Sequence, residues 1–178
     1  MNTATRNLED DHVHIIRLTD VMEKVTENKN PNVEHLESIV NIIRNFADGI
    51  HHAKEEELFF PYLSERGFSS SSGPVAVMLN EHVAGRNYVK GMLENIELYR
   101  HGSTEALDYI YRNMLDYAAL LKSHISKENN VLFKMADRVL SEADNELLLK
   151  EFNDAEKKHS DREEYTKQID YLYDIYRI

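Results

Sequence analysis

Residues 51–60 read HHAKEEELFF and residues 124–133 read HISKENNVLF. Both stretches carry H-x-x-K-E, with Phe60 and Phe133 at the same offset, so the chain contains an internal repeat. Each copy interrupts an apolar stripe of helical period. Val40, Ile43, Ala47, His51, Glu55, Leu58 and Tyr62 follow at three- or four-residue steps, as do Ile110, Met114, Tyr117, Leu121, His124, Glu128, Val131 and Met135. A histidine and a glutamate on a core-facing stripe are costly to bury unless they are paired or bound to a metal.

The repeat extends outward. Asp11-His12-Val13 and Glu81-His82-Val83 share acid-His-Val and precede the two H-x-x-K-E motifs by 39 and 42 residues, so the chain reads as two similar helical hairpins. Six glycines and three prolines are few for 178 residues and argue against a β-rich fold. The first helix is expected from about Leu8 to Asn28, and the second opens with Asn30 as cap and Pro31 in its first turn. The second runs to about Arg66, with Pro61 kinking or ending it. After a flexible GFSSSSGP link, the third runs from Pro74 to about Tyr99 and stops at His101 and Gly102. Ser103 is a candidate cap for the fourth, and Ser141 with Asp144 forms a capping-box pattern for the fifth. Short turns between long helices force antiparallel neighbours. The expected fold is therefore all-α: an up-down-up-down four-helix bundle over about 8–138 and an additional C-terminal helix over about 142–176, in one domain spanning 1–178.

Composition removes several function classes. With no cysteine, thiolate zinc sites, iron–sulfur clusters and cysteine nucleophiles are excluded, and any metal must bind through nitrogen and oxygen. A net charge of -11, from 32 acidic and 21 basic residues, opposes nucleic-acid binding. The N-terminal stretch lacks the pattern of a signal peptide, and no apolar run is long enough to span a membrane, so the expectation is a cytoplasmic protein with no membrane partner.

His and Glu four residues apart share a helix face one turn apart, so one ion can meet both while each glutamate reaches a second ion. Adding His12 and His82 from the other two helices gives the candidate metal ligands His12, His51, Glu55, His82, His124 and Glu128. Two six-coordinate ions would keep open positions. Imidazole and carboxylate with open positions suit two iron ions, oxo- or hydroxo-bridged, with manganese or zinc as alternatives.

This arrangement resembles the hemerythrin-like proteins of the HHE cation-binding type, whose hallmark is His, H-x-x-x-E, His, H-x-x-x-E on four helices. The resemblance covers about Leu8 to Met135 and includes KEEELFFP after His52, EHVAGR at Glu81 to Arg86 and HISKENNVLF at His124 to Phe133. It implies a four-helix bundle around a non-haem di-iron centre with the same six ligands. It departs from the oxygen carriers of the family at Arg86, where they have a further histidine, and at the final motif, where they have H-x-x-x-x-D. An arginine cannot ligate, but it can hold an anion or pair with a carboxylate near the site.

Other assignments stay open on sequence. His52 with Glu56 competes with His51 with Glu55, but Asp48 and Asn45 on the face of His52 read as solvated, which favours His51 and leaves His52 as an extra or supporting ligand. His14 competes with His12, and the repeat with His82 decides for His12. His159 follows Leu148, Phe152 and Ala155 on an apolar face and is either a ligand or a packed histidine. His35 and His101 read as exposed. Asp11 and Glu81 either orient imidazoles or are solvated, and Tyr62 and Tyr117 either contact a bound oxidant or pack in the core. Tyr165, Tyr171, Tyr173 and Tyr176 dock the last helix or make a contact between copies in a homo-oligomer.

The leading functional expectation is a module that binds or senses dioxygen, nitric oxide or peroxide, or reports iron supply, with a small gaseous or anionic ligand at the metal. The alternative is a di-iron oxidoreductase acting on peroxide or a small substrate. Against catalysis stand only two core glutamates, fewer than in ferritin-like carboxylate enzymes. A metal-free structural bundle is the third reading.

Overall fold

A computed structural model describes residues 2–158 and 161–178. All secondary structure among them is helical. Six helices follow in order: α1 (Ala4–Val25), α2 (33–64), α3 (Gly73–Arg100), α4 (106–136), α5 (Glu142–Glu156) and α6 (Arg162–Tyr176). The first four form the expected bundle, α4 lying against α1 and α3, and α2 against α3. The C-terminal segment is helical as expected but in two pieces: α5 packs on α1 and the far part of α2, and α6 crosses α1 and α2. No helix among the described residues is long and apolar enough to cross a membrane.

Helix ends follow local side-chain chemistry. Helix α1 begins at Ala4 rather than Leu8, because Thr3 accepts a hydrogen bond from the Arg6 backbone N–H. Asn32, not Asn30, caps α2, its side-chain oxygen standing 2.9 Å from the Glu34 N–H. Gly102, at φ 97°, adopts the left-handed conformation that ends α3 after Arg100. Ser103 supplies no side-chain cap to α4; its carbonyl accepts from Ala106 in a turn instead. The Ser141–Asp144 capping box is present.

The consequential departure is inside α2 and α4. Residues Ile43–His52 and Glu55–Phe59 of α2, and Glu128–Leu132 of α4, are π-helical. Each i→i+5 turn takes in one more residue than an α turn and so rotates everything after it. The stripes read at a 3.6 period therefore slip by one residue beyond each glutamate. Phe59 and Leu63 are buried where Leu58 and Tyr62 were expected, and Leu132 and Ala136 are buried while Val131 and Met135 are exposed. The same turn places Pro61 at the start of a fresh α turn, where its missing N–H is not needed, so α2 neither kinks to a stop nor ends there but continues to Ser64.

Two apolar clusters fill the bundle. One joins Ile15, Met22, Phe46, Met92 and Met114 with Ile169 and Leu172 of α6, and the other joins Leu8, Phe59, Leu63, Met78 and Phe133 with Phe152 of α5. A fully buried side chain of this size contributes about 1.5–3 kcal/mol. Between the two clusters lies a layer of buried polar residues.

Candidate metal centre

That layer comprises His12 of α1, His51, His52 and Glu55 of α2, His82 of α3, and His124 and Glu128 of α4, all at most 4% exposed. All six residues singled out by spacing are brought together. Their donor atoms form two overlapping sets, His12, His51, Glu55 and Glu128, and His52, Glu55, His82 and His124, with the atoms of each within 4.8 Å of one another. Glu55 belongs to both sets. Its Oε2 stands 3.7 Å from His51 Nε2 and 3.4 Å from His82 Nε2. Glu128 spans the layer in the same way, with Oε2 3.2 Å from His12 Nε2 and Oε1 3.3 Å from His124 Nε2.

The Nε2 atoms converge: His12 and His51 are 3.1 Å apart, and His82 and His124 are 3.2 Å apart. The Nδ1 atoms point outward to oxygen. His12 Nδ1 donates to Asn129 Oδ1 at 2.7 Å, His82 Nδ1 to Glu56 Oε1 at 2.7 Å, His124 Nδ1 to Glu81 Oε2 at 3.0 Å and His52 Nδ1 to Asp48 Oδ1 at 3.2 Å. These oxygens only accept, so the proton sits on Nδ1 and the neutral ring turns its Nε2 lone pair inward. His51 Nδ1 faces Asp11 Oδ2 at 3.5 Å, without hydrogen-bond geometry.

Despite their distances from the imidazoles, both oxygens of Glu55 and both of Glu128 lack a hydrogen-bond partner, as does His52 Nε2. Buried carboxylates left this way are costly and call for positive charge. Without an ion, protons are the substitute. Burial works against protonating His82, yet Glu55 and Glu56 outweigh it and raise its pKa to about 9. His12 and His124 are also raised, burial being overcome chiefly by Glu128. Glu128, in spite of its burial, is held well below the usual carboxylate range by His124 and His12. His52 goes the other way, pushed well down by burial and then by His82. Inward lone pairs, unpaired carboxylate oxygens and a nitrogen–oxygen donor set together fit a pair of cations.

The shell around these residues repeats like the sequence. Asp11 and Glu81 each face the histidine of the neighbouring H-x-x-K-E helix, not the histidine that follows them in the chain. Each also pairs with the lysine of that motif: Lys54 Nζ is 2.6 Å from Asp11, and Lys127 binds Glu81. The residue after each glutamate, Glu56 or Asn129, holds the outer nitrogen of His82 or His12. Glu156 of α5 accepts from Lys54 at 2.7 Å, and Arg162 of α6 pairs with Asp11. Sequence reading weighed Glu56 only with His52, not with His82, and missed Lys54, Lys127, Asn129, Glu156 and Arg162; the shared lysine of H-x-x-K-E was the available signal.

The remaining candidates sort plainly. His52 is 4% exposed, so its expected solvated face is incorrect: the π turns over Ile43–His52 bring two consecutive histidines inward. His14 is half-buried beside Phe46, outside the polar layer. His35 is half-buried against the Tyr176 hydroxyl rather than exposed, and His101 is exposed beside Glu97. His159 lies outside the described residues. Arg86 pairs with both Asp48 and Glu56. Tyr62 donates to Asp144 at 2.7 Å, Tyr117 is buried, and Tyr165, Tyr173 and Tyr176 pack on the core while Tyr171 is exposed.

A cavity of about 270 Å³ adjoins one half of the layer. His52, His82, Gly85 and Tyr117 line its buried side, and Arg44, Lys90 and Leu93 its exposed side.

A sequence model described as the hemerythrin HHE cation binding domain matches residues 3–136. Among curated proteins, the chain is 34% identical over 91 residues to proteins named iron-sulfur cluster repair protein YtfE from Yersinia pestis (strain Pestoides F) and Yersinia pseudotuberculosis serotype O:1b (strain IP 31758). The matched stretch is 49% of this chain and 41% of each relative, so the chain spans well under half of their length. No solved structure matches.

Proposed function

The chain belongs to the hemerythrin HHE cation-binding family, and from that premise we propose that it holds a pair of iron ions and uses them to bind or sense dioxygen, nitric oxide or peroxide, or to report iron supply. The observation that carries this reading is the four buried oxygens of Glu55 and Glu128, unpartnered amid converging imidazoles. His12, His51, His82 and His124 would supply nitrogen, and the two glutamates would each face both ions. When bound, the iron pair supplies redox-active positions at which a small gaseous or anionic ligand attaches.

The chain's own residues prepare that site. The oxygens of Asn129, Glu56 and Glu81 hold their histidines in the tautomer that offers Nε2 inward. The apolar clusters on either side exclude bulk water. The cavity beside His82 gives a small ligand a route from the Leu93 side. A net charge of -11 argues against a nucleic-acid partner, and a cytoplasmic location and self-association belong to the same proposal. The task in the relatives' name, iron-sulfur cluster repair, enters here only as one iron-handling role to test.

A second reading, a di-iron oxidoreductase acting on peroxide or a small substrate, is favoured by the apolar wall that Ile43, Val89 and Leu93 give the cavity. Elemental analysis of untagged, iron-replete protein, with the ultraviolet-visible spectrum of the same sample, tests the proposal. About two irons per chain and bands that respond to nitric oxide or oxygen after reduction support it. Stoichiometric zinc or manganese revises the chemistry, and no metal after reconstitution overturns it. Sustained peroxide turnover lost in His124→Ala would favour the oxidoreductase.

A further inference from the structure

The two halves of the polar layer repeat the same pattern, with polar residues exchanged for polar at Asp11 and Glu81 and at Glu56 and Asn129, but one connected group is polar in one half and apolar in the other. Aligning HHAKEEELFF with HISKENNVLF sets His52 against Ile125, and the same alignment sets Asp48 against Leu121. Aligning His12 with His82 sets Arg86 against Ile16. Three positions that are apolar on one side are thus polar on the other, and the three polar residues touch one another. Arg86 Nε donates to Asp48 at 3.0 and 3.2 Å, and Asp48 accepts from His52 Nδ1 at 3.2 Å. The long π segment Ile43–His52, which brings His52 inward beside His51, also has no counterpart: the equivalent residues of α4 lie in the α-helix Ala106–Lys127.

What this group achieves is the placement of one more nitrogen. His52 is buried, its ring stacks on His82 with centroids 3.9 Å apart, and its Nε2 has no hydrogen-bond partner. One ring nitrogen of His52 shares a 4.8 Å set with donor atoms of Glu55, His82 and His124, a set without His12 and His51; since Asp48 holds Nδ1, the nitrogen left to donate is Nε2. Arg86, which also holds Glu56 against His82, therefore fixes the outer nitrogens of two rings through two carboxylates. Its guanidinium is occupied by protein groups and is a positioning residue.

We propose that His52 is a fifth imidazole donor serving only the ion on the His82–His124 side, positioned by Asp48 and Arg86, so that the two ions are inequivalent. The ion with the extra histidine is the one beside the cavity. This inference rests on the two-ion reading above, and the test separates the two.

The full chain, freed of metal, is titrated anaerobically with cobalt(II), whose visible spectrum reports its ligands, and with iron(II) by calorimetry. Wild type is expected to take up two equivalents of distinct spectrum. His52→Ile copies the residue of the other half; it should weaken one equivalent at least ten-fold, change that equivalent's cobalt bands and leave the other unchanged. Asp48→Leu, which also copies the other half, should weaken the same equivalent by roughly ten-fold, and it decides the matter if His52→Ile does not fold. Two equivalents retained with unaltered affinity and spectrum, or both weakened alike, overturn the assignment of His52 while leaving the two-ion site standing. Wild type that takes up no metal overturns both.

Discussion

Lys54 Nζ lies 2.6 Å from Asp11 Oδ2, and both side chains are at most 1% exposed. This pair ties α1 to α2 directly behind His51, and Glu156 and Arg162 tie it to the two C-terminal helices. Helices α5 and α6 thus supply charges to the outer shell of the site, not only apolar cover. A change at the centre that moves Asp11 would reach α6 through one ion pair and α5 through two.

Removing one partner of such a pair leaves a buried charge. Lys54→Ala is expected to cost about 3 kcal/mol in urea unfolding of the metal-free protein. The double variant Lys54→Met with Asp11→Leu should recover part of that loss, because it removes both charges. Equal stability of the single variant and wild type would show that Arg162 alone neutralises Asp11.

Metal and stability should be linked through the glutamates. Iron at a free concentration a thousand times its dissociation constant adds about 4 kcal/mol per site, so chelation should lower the unfolding midpoint of wild type markedly. In Glu55→Gln with Glu128→Gln that dependence should vanish, because the carboxylates facing both donor sets are gone. Thermal unfolding with and without chelator checks both statements.

Protons and metal should compete. His82 has its pKa raised to about 9 by Glu55 and Glu56 against the effect of burial, from an ordinary value of 6.5. A raised histidine stabilises the metal-free fold fully below pH 6.5, and that contribution is lost as pH climbs through about 9; it amounts to at most about 3 kcal/mol. Metal affinity should rise over the same window, and binding at pH 7 should release protons. Calorimetry in two buffers of different ionisation enthalpy counts them; a count of zero would mean that the site is already deprotonated.

The cavity makes a kinetic prediction. Leu93 is exposed on its outer side, so Leu93→Trp should leave metal content unchanged and slow azide or nitric oxide binding to the iron-loaded protein several-fold. Stopped-flow absorbance measures this, and an unchanged rate would place the ligand's route elsewhere.

Much of the site was legible because cost leaves a pattern. His51, Glu55, His124 and Glu128 interrupt apolar stripes, and a duplicated interruption marks groups that share a partner. The six proposed ligands and the four-helix bundle follow from spacing, duplication and short turns. The break after Glu156 does not, since nothing in an apolar period requires a helix of that length to stop there.

Beyond each glutamate the sequence misled for one reason: a 3.6-residue period presumes i→i+4 bonds. The π turns at Glu55–Phe59 and Glu128–Leu132 slip the buried face from Leu58 to Phe59 and from Val131 to Leu132, and the π segment before them turns His52 inward with His51. Sequence alone determined the four bundle helices, their antiparallel order and six of the ionisable residues that meet, because burial of such groups is tolerated only in company. Tertiary structure decided which face each helix presents after its π turns, and which distant charges, Glu156 and Arg162 among them, close the shell. Those choices rest on backbone bonds and packing that become favourable only once the helices are together.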